Sequence, residues 1–296
     1  MTMNPSTQTP SAWRTVLETI EHYAETRKTI DRLLRGVDGA LGDILFGVTT
    51  DDEKNAITRI CYARTGHTTP SSTWSLAEWE HAWLSSQLPA SPARILVCGC
   101  GWGREVMALR DLGYEAVGFD PAIDDQTTTP PEIIRADFDD FTAAALDGAA
   151  NALHPLLEKP FDAILFGWGS LTHVLSPAHR ARIFEAAQML CPRGPLLGSA
   201  WLRSDEGPVR RGEYRRRVLD VAQRLARLRG LVPNVEEQFL FSPEFGFGVY
   251  IAHDELKAVA QSMDRLVDVK TLPQGHFTFI APKRRRRKKP PRTTTQ

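Results

Sequence analysis

The chain has 296 residues, is 42% hydrophobic and carries 36 basic against 36 acidic side chains. That is enough apolar sequence for a sizeable core, and the length fits one elaborated domain. No apolar run approaches the roughly 20 residues of a membrane span, the start "MTMNPSTQTPSAW" has no charged segment leading into an apolar one, and cysteines only at 61, 98, 100 and 191 are too few for a disulfide framework. Membrane-spanning and disulfide-stapled secreted classes are thereby disfavoured, and a reduced, cytoplasmic protein is expected.

Along the chain, residues 11–35 place Val16, Ile20, Tyr23, Ile30, Leu33 and Leu34 at helical spacing, with Gly36 as the expected stop. Further helices are expected over 52–63 and 75–88, before the break "PASPA" at 89–93. The first 90 residues therefore read as a helical N-terminal extension, separate from the rest of the chain. From Ala93 onward short β-type runs alternate with helical ones, the pattern of a mainly parallel α/β sheet. The strands are "RILVCG" (94–99), "EAVGFD" (115–120), "EIIRADF" (132–138), "FDAILFG" (161–167) and "PLLGSAWL" (195–202). One helix should run from Gly103 to about Gly113, and another from Ser176, with Pro177 in its first turn, to Leu190.

An insertion spans 203–244, and its place after a strand's carboxyl end makes it a candidate substrate cap. Its arginines, Arg210, Arg211, Arg215, Arg216, Arg217, Arg224, Arg227 and Arg229, suit either an anionic ligand or a solvated face opposite Val218, Val221, Leu225 and Leu228. A strand "FGFGVYI" (245–251) comes next, then a helix with Asp254 as cap, then "LVDVKTL" and "HFTFIAP" as an antiparallel hairpin turning at Pro273–Gly275. The last segment, 283–296, is expected to be disordered. Lys283–Lys289 and Arg292 give it eight cations and no acids, which leaves 28 basic against 36 acidic residues in the rest. Such a tail suits weak, salt-sensitive contact with nucleic acid or an acidic surface, or simply solubilises the chain.

The chemistry-bearing stretch is "RILVCGCGWGRE". A dinucleotide fingerprint needs a third glycine where this chain has Arg104, and no G-K-[ST] is present there for a P-loop. Cys98 and Cys100 are two ligands where a closed thiolate site takes about four, so packing roles are expected and no metal is assigned. Gly99, Gly101 and Gly103 instead allow a sharp turn against which a ligand can lie on bare backbone. Asp120, before Pro121, ends the second strand, where a carboxylate can accept from both hydroxyls of a ribose; an ordinary turn is the alternative.

"ILVCGCGWGRE", "GYEAVGFDPA", "RADFDD" and "FDAILFGWGSLTHVL", in that order, resemble the successive motifs of class I S-adenosylmethionine-dependent methyltransferases over about Ala93–Trp201. The resemblance implies a Rossmann-like, seven-stranded, mainly parallel sheet with a C-terminal antiparallel hairpin, as a methyltransferase domain over 91–282. It implies S-adenosylmethionine as cofactor, held by Gly99, Cys100, Gly101, Gly103, Asp120, Pro121, Asp137, Phe138, Gly167 and Trp168. Asp137 would meet the adenine amino group, with Phe138 against the ring. Trp168 would wall the sulfonium or serve as core. Family members often carry an acid two residues before the first glycine, where this chain has Val97. His173 is the titratable group of the fourth motif, as general base or as a helix-entry histidine bonded to backbone. The implied activity is methyl transfer to an O, N or C nucleophile of a small molecule; RNA or protein methylation, or an inactive cofactor-binding regulator, are the alternatives.

Overall fold

The computed structural model describes residues 12–64, 76–123, 132–203, 213–231, 239–271 and 277–280. Three helices come first: α1 (Ala12–Val48), α2 (Asp51–Arg64) and α3 (Glu78–Gln87). α1 does not stop at Gly36; of its later glycines, Gly42 and Gly47 are close-packing positions, whereas Gly39 has open space around it. A Cβ on Gly42 would lie 2.5 Å from the Phe241 Cβ, and one on Gly47 would lie 2.9 Å from the Ala222 Cβ.

The sheet contains β1 (Arg94–Cys98), β2 (Glu115–Asp120), β3 (Ile133–Arg135), β4 (Ala163–Phe166) and β5 (Leu196–Ala200), all paired in parallel. The crossovers carry α4 (Arg104–Asp111), α5 (Phe138–Leu146), α6 (His154–Leu157) and α7 (Pro177–Leu190). In the insertion, α8 (Glu213–Leu228) and β6 (Phe239–Ser242) precede β7 (Gly246–Val249) and α9 (His253–Ser262). An antiparallel pair, β8 (Asp268–Thr271) and β9 (Phe277–Ile280), closes the edge, giving the order β3-β2-β1-β4-β5-β9-β8. This is an α/β fold with a mainly parallel sheet and a small antiparallel pair. β1 alternates sides as a strand must. Leu96 and Cys98 join the layer of Phe119, Phe141, Phe166 and Phe184, whereas Ile95 and Val97 join that of Leu84, Val106 and Leu109.

Three further details differ from the sequence expectation. The 245–251 run is not in the main sheet: β7 pairs antiparallel with β6, a strand hidden inside the insertion, and only Ile251 bridges Leu202 of the sheet side. Asp254 lies in the first turn of α9, whose cap is Ala252. On α8 the buried stripe is Leu219, Ala222 and Ala226, one position on from the expected one, while Val221, Leu225 and Leu228 are exposed. Small side chains at 222 and 226 let α1 approach closely, which larger residues would prevent. Of the arginines read from the insertion, Arg210 and Arg211 and the side chains of Arg215 and Arg216 lie outside the described residues, as does the tail.

Candidate functional site

The strand order reverses between β1 and β4, and the carboxyl edge of the sheet at such a reversal is where α/β folds of this kind bind ligands. The glycine turn forms the floor there. Gly99 and Cys100 N–H groups both donate to the Phe119 carbonyl, and Gly103 N–H donates to the Cys100 carbonyl. Gly101 has φ +53°, with open space where a Cβ would stand. Gly167, at the exit of β4, donates to the Cys98 carbonyl at 2.8 Å; a Cβ there would lie 2.2 Å from the Gly99 carbonyl oxygen. The two turns therefore pack backbone on backbone, which only glycine permits.

Asp120 ends β2 beside this floor. Its Oδ2 accepts from Gly101 N–H and its Oδ1 from Ala122 N–H, both at 2.8 Å, with Pro121 between. Burial pushes the carboxyl upward from its ordinary pKa, opposed by those two backbone donors. Each oxygen keeps a lone pair for another donor. Asp137 is the N-cap of α5, its Oδ1 accepting from Asp140 N–H at 2.9 Å, while its Oδ2 holds Arg59 of α2 at 2.7 Å. Phe138 packs edge-on against Phe119, near the Gly99 turn.

Cys98 and Cys100 are buried packing residues, and burial drives both thiols well above their ordinary pKa, so thiolate is scarce. Arg104 has a different task. It grips Glu80 of α3 through two bonds of 2.6 Å, reaches Glu105 at 2.8 Å, and lies 5.5 Å over the Trp168 ring. Trp168 is 43% exposed and meets Trp79 edge-to-face, so it stands at the site's lip and not in the core.

Behind this lip lies a small, partly open cleft, lined by Trp79, Glu80, Trp83, Glu105, Gly167, Trp168 and Ser199 among others. Glu80 and Glu105 are both buried and share the single guanidinium of Arg104. Burial also raises the Glu105 pKa, with Arg104 opposing. The indole Nε1 of Trp83 is buried with no hydrogen-bond partner among the described residues.

On the other flank His173 closes a short 3-10 turn, Ser170–His173. Its Nδ1 lies 2.7 Å from the Phe247 carbonyl, which can only accept, so the proton sits on Nδ1. Nε2 is then the acceptor for the Tyr62 hydroxyl of α2 at 2.9 Å. Burial lowers the His173 pKa and keeps the ring neutral; burial and, secondarily, Asp120 raise that of Tyr62. The backbone bond expected of a structural His173 is present, and its other ring nitrogen is taken up by Tyr62. Arg59, Tyr62, Glu80, Trp83 and Glu105 were not legible as site residues. Only Glu105 had a local signal, since it directly follows the ladder.

No protein-family model matches the chain, and no curated protein matches it. The likeness is to solved structures. The 1,6-didemethyltoxoflavin-N1-methyltransferase of Burkholderia thailandensis, crystallised with 1,6-didemethyltoxoflavin and S-adenosylhomocysteine, is 14% identical with a TM-score of 0.50, covering 80% of this chain and 91% of its own. CalS10, an amino pentose methyltransferase of Micromonospora echinaspora, is 12% identical with a TM-score of 0.46, over 72% and 93% of the two chains. A methyltransferase of Methanosarcina mazei is 19% identical with a TM-score of 0.44, over 71% and 98%. On the strength of the first, this chain has the fold of the class I S-adenosylmethionine-dependent methyltransferases.

Proposed function

We propose that the chain is an S-adenosylmethionine-dependent methyltransferase acting on an O, N or C nucleophile of a small molecule, in the cytoplasm. The observation that carries this reading is Asp120, held by Gly101 and Ala122 N–H groups beside an open glycine turn. Its remaining lone pairs suit the two hydroxyls of a ribose. On this reading the sheet is the complete seven-stranded one of that fold, with residues 1–90 as a helical extension, 91–282 as the catalytic domain and 203–244 as a cap. Adenine would lie by Phe138, with Asp137 and Arg59 at its amino edge.

The amino-acid end would occupy the tryptophan-walled cleft. Val97 faces the same layer as Leu84, and its neighbour on β4 is the cleft-lining Leu165. An acid missing at 97 is thus answered on the same side by Glu105 and Glu80, which together outnumber the one guanidinium they share. A cation suits that excess, and a carboxylate suits the unpartnered Trp83 N–H.

When bound, the cofactor supplies an electrophilic methyl on a sulfonium sulfur. The chain's part is chiefly alignment, for which Trp168 and Gly167 form one wall. Where the acceptor must lose a proton, the Tyr62 oxygen can receive it while its own hydrogen passes to His173 Nε2. The neutral dyad favours this reading over an inactive regulator.

Calorimetry tests the assignment. S-adenosylmethionine and S-adenosylhomocysteine should bind the native chain and lose at least about tenfold in affinity to Asp120→Ala, the cost of a charged hydrogen bond. Glu105→Gln should weaken S-adenosylhomocysteine by about tenfold and leave 5′-methylthioadenosine, which lacks the amino-acid end, unchanged. No binding to native protein overturns the whole reading; equal behaviour of the two ligands in Glu105→Gln overturns the amino-acid subsite alone.

A further inference from the structure

The sequence of α1 carries a pattern that the site does not use. Val16, Tyr23, Ile30 and Val37 recur every seven residues, and Ile20, Arg27, Leu34 and Leu41 recur every seven in the alternate places. Together they make eight consecutive core positions of a 4-3 heptad repeat, seven of them apolar, over a helix that runs unbroken from Ala12 to Val48. From 16 to 41 such a seam is about 38 Å long. A period of 3.5 sustained over almost four heptads is the signature of a helix paired with another helix, not of one resting on a globular core, where 3.6 prevails.

The structure leaves the seam uncovered over its described side chains, from Tyr23 to Leu41. Tyr23, Ile30, Leu34, Val37 and Leu41 are each 50–65% exposed, in a helix whose Gly42, Gly47 and Phe46 pack against α8 and β6. The part of α1 that docks on the body, from Gly42 onward, and the part that carries the heptads, up to Leu41, are therefore successive stretches of one helix. At the apolar area implied by transfer energies, covering the seven apolar positions of the repeat would bury roughly 400–800 Å² per protomer, the upper end of which meets the about 800 Å² per partner of a standard stable interface. Exposed apolar patches of this size mark an interaction surface.

We propose that α1 pairs with α1 of a second copy, making the protein a homodimer through a two-helix coiled-coil seam. The occupant that fits a 38 Å heptad seam is a helix long enough to cover it with the same repeat, as α1 of a second copy is with 37 residues, whereas α8 carries a 4-3 apolar pattern over only 16. Arg27 is the one polar core position; such a residue lowers stability while restricting register and oligomer size.

Sedimentation equilibrium on the full chain at micromolar concentration tests this. A dimer is expected for the native chain, and the double variant L34E/L41E should weaken it by at least about a hundredfold, since four buried leucines become charged. Arg27→Leu should tighten it by at least about tenfold. Far-UV circular dichroism and S-adenosylhomocysteine binding report whether each variant remains folded. A monomeric native chain, or a dimer whose affinity neither L34E/L41E nor Arg27→Leu alters, overturns the proposal.

Discussion

Single residues in this site act through what their neighbours leave available. His173 is the clearest case. Because the Phe247 carbonyl fixes the proton on Nδ1, the lone pair at Nε2 faces the Tyr62 hydroxyl. Burial lowers its pKa, so around pH 6.5, the ordinary histidine value, the unfolded chain binds more protons here than the folded one. The stability this residue contributes is present above about pH 6.5 and is lost as pH falls from there through the folded pKa. His173→Asn retains a donor for Phe247 but does not titrate. Urea unfolding from pH 7.5 to 5.5 should show the native chain losing stability toward acid more steeply than the variant. Parallel pH profiles would remove His173 as a buried neutral base.

At the scale of elements, β1, β4 and β5 were legible because each is a run of mostly apolar residues buried on both faces. β1 and β2 lie within one residue of their expected ends. The glycine floor and Asp120 were legible for a related reason, since a tight turn and a strand end are local facts. Asp137 paired with Arg59, and His173 with Tyr62, are contacts between residues 78 and 111 positions apart that no local pattern encodes. β6 escapes the sequence because four residues whose one partner is β7 give no signal of their own.

The register of α8 departs from the expected one because its apolar arc is wider than the face it buries, and volume, not hydropathy, chose the face. Ala222 faces Gly47, with only 2.9 Å left for a Cβ between them. Ala222→Leu should therefore destabilise the fold by about 1–3 kcal/mol through overpacking, whereas Leu225→Ala, exposed, should change stability by no more than about 0.5 kcal/mol. Chemical denaturation distinguishes the two; the reverse ranking would restore the face that hydropathy alone selects.

On the scale of the whole molecule, the charge is divided in a way that neither the fold nor the site explains. Residues 283–296 hold eight cations, and the remaining chain has 28 basic against 36 acidic side chains. An acidic body repels a phosphate backbone, so any hold on RNA has to come through the tail. That hold should be without base selectivity, because the tail has no aromatic residue on which a base could stack. Contacts of this kind release counterions and weaken steeply with salt, by about 10³–10⁵ between 50 and 200 mM when 6–10 phosphates are neutralised. The native chain should accordingly be retained on immobilised RNA at low salt and elute by about 200 mM. A chain ending at Pro282 should flow through, with its affinity for S-adenosylhomocysteine unchanged. Retention that survives the deletion would place the RNA contact on the body, and would then favour an RNA acceptor over a small molecule.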